Sequence, residues 1–394
     1  MKKFLSLLLA MTMVAACLVG CGGKEEAATD APAATEESAE AKFVIGGIGP
    51  ITGGAAIYGQ GVKNAAEIAV AEINAAGGIN GYQVEFIWGD DEHDAEKSVN
   101  AYNSLKDQGM QMLLGTVTST PCIAVADEAA NDNMFLLTPS GSAVDCVAND
   151  NAFRVCFSDP NQGAASAQYI GDNGLAAKVA VIYDSSDVYS SGIYETFKKE
   201  AENQSFEIVA AESFTADNKS EFSTQIEKIK AEGADLIFLP IYYQEASLIL
   251  NQAAKADYDV KFFGCDGLDG ILGVENFDTT LAEGVMLLTP FAADAKDEAT
   301  QNFVKAYQEA YDEVPMQFAA DAYDAMYIIK AAAEKADVKP DMDISEMCDA
   351  MKEAMVEIKV DGLTGEGITW SADGEPSKAP KAVVIKDGAY AAME

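Results

Sequence analysis

Three short segments concentrate hydroxyls, glycines and acids where an apolar run gives way to a turn. Gly115-Thr116-Val117-Thr118-Ser119-Thr120-Pro121 follows the strand pattern at 110–114. Pro121 suits a first helical turn, which makes Ser119 or Thr120 a natural cap. A helix N-terminus flanked by hydroxyls also takes a carboxylate well. Thr138-Pro139-Ser140-Gly141-Ser142 follows the run at 135–138 and offers two hydroxyls with exposed backbone. Gly264-Cys265-Asp266-Gly267 puts a lone acid between glycines after the run at 262–264. Asp266 there is either an ordinary turn aspartate or a counter-charge for a ligand ammonium, a group costly to bury alone. Tyr189 opens a helical pattern, and Tyr242 and Tyr243 follow an apolar run. Such tyrosines supply flat apolar faces with polar tips. Tyr58, just after the glycine-rich 47–54, could wall the same cleft. Hydroxyls and helix N–H groups on one side and an acid on the other suit a zwitterion.

The same residues argue against catalysis. His93 is the only histidine. It sits in Asp90-Asp91-Glu92-His93-Asp94, which reads as a solvated loop with Asp94 as a helix cap. A nucleophilic serine needs a base beside it, and position 138 is Thr where a GxSxG elbow needs Gly. There is no CxxC, HExxH or histidine pair to hold zinc. Segment 47–54 lacks both GxGxxG spacing and a Lys-Ser/Thr ending, so it reads as a tight turn rather than a nucleotide loop. Arg154 is the only arginine, which excludes a site built on guanidinium forks. No catalytic residue, metal or cofactor is expected. A hydrolase built on Ser142 is the enzymatic rival.

These segments need a scaffold that presents turn after turn on one edge. Strand patterns at 43–48, 84–88, 110–114 and 135–138 alternate with helical spacing at 61–76, 95–106 and 121–130. The series restarts with strands at 178–183, 206–211, 236–240 and 262–264 and helices at 189–202, 221–232 and 244–255. A strand at 284–288, helices at 298–310, 321–336 and 344–356, and a strand at 382–385 complete the pattern. Repeated strand–helix–strand units predict an α/β fold of two doubly wound, mainly parallel sheets. In such sheets ligands sit beyond the carboxyl ends of the strands. The late helices do not fit simply onto the second lobe, so the chain could cross between lobes more than once.

At 394 residues the chain is long enough for two domains. A net charge of −38 repels nucleic acid and anionic lipid. Lys2 and Lys3, then an apolar stretch to Ala16, form a signal segment over 1–20 too short to span a bilayer. Leu18-Val19-Gly20-Cys21 resembles a lipobox, which implies a lipidated Cys21 anchoring the protein to the outer face of the cell membrane. Residues 21–42 read as an acidic, flexible tether. The tether and acidic surface suit a Gram-positive exterior. Five later cysteines, Cys122, Cys146, Cys156, Cys265 and Cys348, cannot all pair internally. Cys146 and Cys156 could bridge, but no spacing requires it.

From Phe43 to about Gly388 the chain resembles the type I periplasmic binding proteins, specifically the leucine/isoleucine/valine-binding family of ABC importers. The resemblance rests on Gly49-Pro50-Ile51-Thr52-Gly53 with Tyr58-Gly59, on the run from Glu67 to Gly81, on the Asp90-Asp91 loop, on 138–142 and on Gly365 to Trp370. It implies a two-lobed fold with crossovers near 158–161, 289–292 and 364–372. Lobe 1 is then 43–158 with 292–364, and lobe 2 is 161–289 with 372–394. It implies that Ser119 and Ser142 donate to a ligand carboxylate and that Ser140 contributes backbone. It also implies that Asp266 pairs with the ammonium and that Tyr189 and Tyr242 close the pocket opposite Tyr58. The implied function is capture of an amino acid, branched-chain or related, by a monomer that delivers it to a membrane permease. A ligand sensor of the same fold is the alternative. The cysteine that well-known members carry in the acidic loop is missing here, so their disulfide is not carried over. Ser140 and Gly141 stand where small alanines are common, which could alter the pocket.

Overall fold

The computed structural model describes residues 41–393. The signal segment, Cys21 and the tether as far as residue 40 lie outside the described residues. Apolar runs form the central strands, buried on both faces, while the strand at 83–90 on the sheet edge is half-buried. β1 (Lys42–Gly49), β2 (Gln83–Asp90), β3 (Met112–Gly115), β4 (Leu136–Thr138) and β5 (Ala152–Arg154) pair in parallel in the order β2-β1-β3-β4-β5. α1 (Ala56–Ala75), α2 (Ala95–Asp107) and α3 (Ser119–Asp132) connect them.

α4 (Asp159–Asp172) leads to β6 (Lys178–Asp184), α5 (Val188–Ala201), β7 (Glu207–Phe214), α6 (Ser223–Glu232), β8 (Leu236–Leu239), α7 (Tyr243–Lys255), β9 (Lys261–Gly264) and β10 (Met286–Thr289). The chain then returns through α8 (Glu298–Tyr311), α9 (Gln317–Lys335) and α10 (Ile344–Met355). α9 packs along α1 and reaches β3 and β4, so the late helices cover the first sheet. A small hairpin, β11 (Val360–Gly362) and β12 (Gly365–Ile368), precedes β13 (Lys381–Lys386) and β14 (Ala389–Ala392). The second sheet runs β14-β13-β10-β9-β8-β6-β7. Its β7-to-β10 part is parallel, while β13 and β14 are antiparallel additions at one edge.

Both sheets thus share one winding, with the strand order reversing beside their first strand. Such a reversal opens a crevice at the carboxyl edge.

Some elements differ from the sequence expectation. α1 begins at Ala56, not Gly61, and so contains Tyr58. Gly59 and Gly61 weaken the local helix signal, yet Gly59 is needed, since a Cβ there would lie 1.9 Å from the Pro50 carbonyl oxygen. The cap of α3 is Thr118 rather than Ser119 or Thr120, and Ser119 is the first helical residue. β5, α4, the β11–β12 hairpin and β14 were not expected. The five cysteines described are all buried thiols, Cys146 and Cys156 included. Among the described residues no helix is long and apolar enough to cross a membrane.

Candidate ligand-binding site

The loop after β3 and the loop after β4 are sewn together by their own hydroxyls. Thr138 Oγ1 donates to Thr116 O at 2.7 Å and accepts Gly141 N–H at 2.7 Å. Ser140 Oγ donates to Val117 O at 2.7 Å. Ser119 Oγ accepts the N–H groups of Ser142 and Ala143 at 3.3 and 3.1 Å. With its lone pairs engaged, Ser119 keeps its own proton free to donate. Arg154, fully buried, braces this loop from behind, donating to the carbonyls of Gly141 at 3.1 Å and Ala143 at 2.9 Å. The only arginine therefore shapes the site without facing a ligand.

The second lobe contributes from the ends of β6, β8 and β9. Asp187 caps α5 by accepting the Tyr189 and Ser190 N–H groups at 2.8 and 3.2 Å, which fixes Tyr189 at the cleft. Tyr189 Oη donates to Asp266 Oδ1 at 2.7 Å and accepts Gly267 N–H at 2.9 Å. Tyr242 stacks on Tyr189 with ring centroids 4.9 Å apart. Burial of Asp266 raises its pKa from the ordinary range to about 7, with Tyr189 and Gln162 partly offsetting the effect through hydrogen bonds.

Tyr58 joins the two lobes. Its hydroxyl donates to Gly267 O at 2.5 Å and accepts Tyr243 N–H at 3.3 Å. Its ring stacks on Phe318 of α9, centroids 4.1 Å apart.

All seven residues singled out in the sequence line one cavity: Tyr58, Ser119, Ser140, Ser142, Tyr189, Tyr242 and Asp266. The space they leave is about 10 Å³, room for one water and far too little for an amino acid. Entry of any larger molecule requires the lobes to part.

Two residues at the cleft escaped the sequence reading. His93 is not a solvated loop residue. Its Nδ1 lies 2.8 Å from Thr118 Oγ1, its ring meets Tyr242 edge-on at 5.5 Å, and its Nε2 is 3.9 Å from Asp187 Oδ2. Left-handed backbone at Glu92 and His93 (φ 50° and 61°) turns the ring back over the cleft, a conformation no periodicity announces. Asp94 does cap α2, accepting Lys97 N–H at 2.9 Å. Asp159, the first residue of α4, is buried with neither carboxylate oxygen in a hydrogen bond of good geometry, and the Ser142 hydroxyl lies near enough to hold its carboxyl down in part. Its backbone N–H reaches Ser142 O at 2.9 Å, and burial pushes its carboxyl well above the ordinary range. The Asp-Pro pair at 159–160 was the available signal, since it often opens a helix. Two buried acids beside a cavity whose lining holds no cation favour a positively charged guest.

A two-lobed α/β molecule whose lobes meet at the carboxyl edges of their sheets, around a small polar crevice, is the plan of a solute-binding protein. Residues 42–389 match the family model described as periplasmic binding protein, and the chain belongs to the type I periplasmic binding proteins of the branched-chain amino-acid family. The Leu/Ile/Val-binding protein homolog 3 of Brucella melitensis is 31% identical over 307 residues, 76% of this chain and 80% of that one. The leucine-, isoleucine-, valine-, threonine-, and alanine-binding protein of Pseudomonas aeruginosa is 29% identical, covering 73% of this chain and 77% of its own. Among solved structures, the branched-chain amino acid transporter substrate-binding protein LivJ of Streptococcus pneumoniae, in complex with isoleucine, has a TM-score of 0.81 at 28% identity. That alignment covers 89% of this chain and 98% of LivJ. A solute-binding protein of R. palustris in complex with benzoate shares the fold, with a TM-score of 0.79 at 21% identity over 89% of this chain and 95% of its own.

Proposed function

We propose that the protein captures an amino acid, branched-chain or related, between its lobes outside the cytoplasm and delivers it to an ABC importer in the membrane. The observation that carries this is the convergence of Ser119 and Ser142 from one lobe with Asp266 from the other on a single cavity. In the proposal the ligand carboxylate meets the Ser119 and Ser142 hydroxyls and the first turn of α3, with Ser140 holding the backbone. The ammonium meets Asp266, and Tyr58, Tyr189 and Tyr242 close over the side chain. The relatives' amino-acid names support this class. Benzoate, a ligand of one structural neighbour, offers no cation for Asp266 and fits the acid pair less well.

Binding is capture by closure: ligand touches both half-sites only when the lobes meet, so it binds that state better and shifts the population. No bond is made or broken. The protein works as a monomer, tethered by a lipid on Cys21. The curated relatives named above come from Brucella and Pseudomonas, Gram-negative genera, so they lend no support to a Gram-positive envelope.

Calorimetric titration with isoleucine, leucine, valine and benzoate tests the reading. One amino acid should bind, and Asp266→Ala should weaken it by about 2–5 kcal/mol, as loss of a buried charge partner does. Unchanged affinity in that variant would sink the assignment. Palmitate labelling of the full chain in cells should disappear in Cys21→Ala.

A further inference from the structure

A second, larger cavity lies between the lobes. Its volume is about 610 Å³, within the range of small-molecule sites. Ile57 on α1 and Val304 on α8 wall it from the first lobe, Leu272 and Leu287 from the second, and Phe291 from the crossover after β10. None of its lining residues is Lys, Arg or His, while Asp269, Asp294 and Glu313 all border it.

Asp269 is the polar group that matters. It is 4% exposed. Its Oδ2 accepts Gln317 N–H at 2.8 Å, whereas Oδ1 is buried with no hydrogen-bond partner of good geometry. The Tyr390 hydroxyl, also at the wall, accepts Gly270 N–H at 3.0 Å, and its own proton lies near enough to the Asp269 carboxyl to hold it down in part. A buried carboxylate oxygen with no donor at good geometry and only a neighbouring hydroxyl to soften its charge is costly, and an apolar chamber with one such acid suits an amphiphile with a cationic head. Burial raises the Asp269 carboxyl to about 6, so it is still an anion at neutral pH.

We propose that this cavity is a second ligand site, taking a primary amine with an apolar body, its ammonium on Asp269 Oδ1 and its body against Leu272, Phe291 and Val304. The site communicates with the first. Gln317 gives its backbone N–H to Asp269 and its side-chain Nε2 to Asp266 O at 2.9 Å. Because the walls come from both lobes, an occupant holds them together. It should therefore tighten binding in the first cavity, and the coupling is reciprocal.

The test uses 2-phenylethylamine and its uncharged counterpart 2-phenylethanol, titrated calorimetrically into the full chain. The amine should bind one-to-one, with the alcohol weaker by about tenfold or more. Asp269→Asn, which keeps an acceptor for Gln317, should remove that preference. Val304→Trp, which fills the chamber and leaves the acid, should abolish amine binding. Asp266→Asn should leave most of it, whereas loss confined to that variant would mean the amine occupies the first cavity and would overturn the proposal. Equal affinity for amine and alcohol, or binding that survives both Asp269→Asn and Val304→Trp, would overturn it too. Failure of the amino-acid titrations would leave these results unaffected, since they do not pass through Asp266.

Discussion

With the lobes closed and no ligand bound, burial disfavours the charge of Asp266 and raises its pKa to about 7. A ligand ammonium beside it would pull that value down. Binding near neutral pH should therefore release a proton, and affinity should fall as pH drops from about 8 through about 6. The check is calorimetry in two buffers of different ionisation enthalpy: the apparent binding enthalpy should differ between them, and the difference should shrink in Asp266→Asn. Identical enthalpies in the wild-type protein would mean that this acid does not receive the cation. Ser119 is a different case, because it has structural and binding duties at once. Ser119→Ala removes a donor aimed at the cavity and also strips the Ser142 and Ala143 N–H groups of their acceptor. The expected cost is about 1–3 kcal/mol of folding stability in urea melts, with ligand affinity reduced besides.

At the scale of elements, Tyr58 ties α1 to the loop after β9 and to the start of α7. Tyr58→Phe keeps the ring on Phe318 and removes only the hydroxyl. It should favour lobe opening by about 0.5–1.5 kcal/mol, seen as a larger radius in X-ray scattering of the ligand-free protein and unchanged in the liganded one. α4 and α5 pack so closely that a Cβ on Gly163 would fall 2.4 Å from the Ile193 carbonyl oxygen. The same glycine explains why α4 was illegible. Gly163 and Gly171 with short polar residues blur the helical period, and only the packed partner shows why glycine is needed. The α/β alternation was legible wherever apolar residues recur with a clear period, as in β1, β6 and α5. The meeting of these residues at one cavity was legible because their loops follow strand ends and carry conspicuous hydroxyls or a lone acid. Asp159 and His93 were not, since their importance lies in what folds over them: a helix start for one, a left-handed turn for the other.

At the scale of the whole molecule, 64 acids face 26 basic residues, and several of the acids are buried. Asp91 and Asp266 are raised to about 7, and Asp187, Asp269 and Asp321 to about 6, in every case chiefly by desolvation. A carboxyl raised on folding binds more protons in the native than in the unfolded state between its two pKa values. Stability then falls as pH rises through that window. His93, lowered by its burial, works in the opposite direction below its ordinary range. It is one group against these five and the further raised carboxyls of Asp159, Asp324 and Glu375. Acids held low by hydrogen bonds, such as Asp90 and Asp297, lose their contribution only when they are protonated at still lower pH. Relief of the net negative charge adds to the trend. The thermal midpoint of the ligand-free protein should therefore rise as pH falls from about 8 to about 5, then drop below about 4. Added salt should stabilise more at the alkaline end, where self-repulsion is greatest. A midpoint that is flat or declines from about pH 8 to about pH 5 would show that these carboxyls reach water or partners in the folded protein, leaving neither cavity short of positive charge.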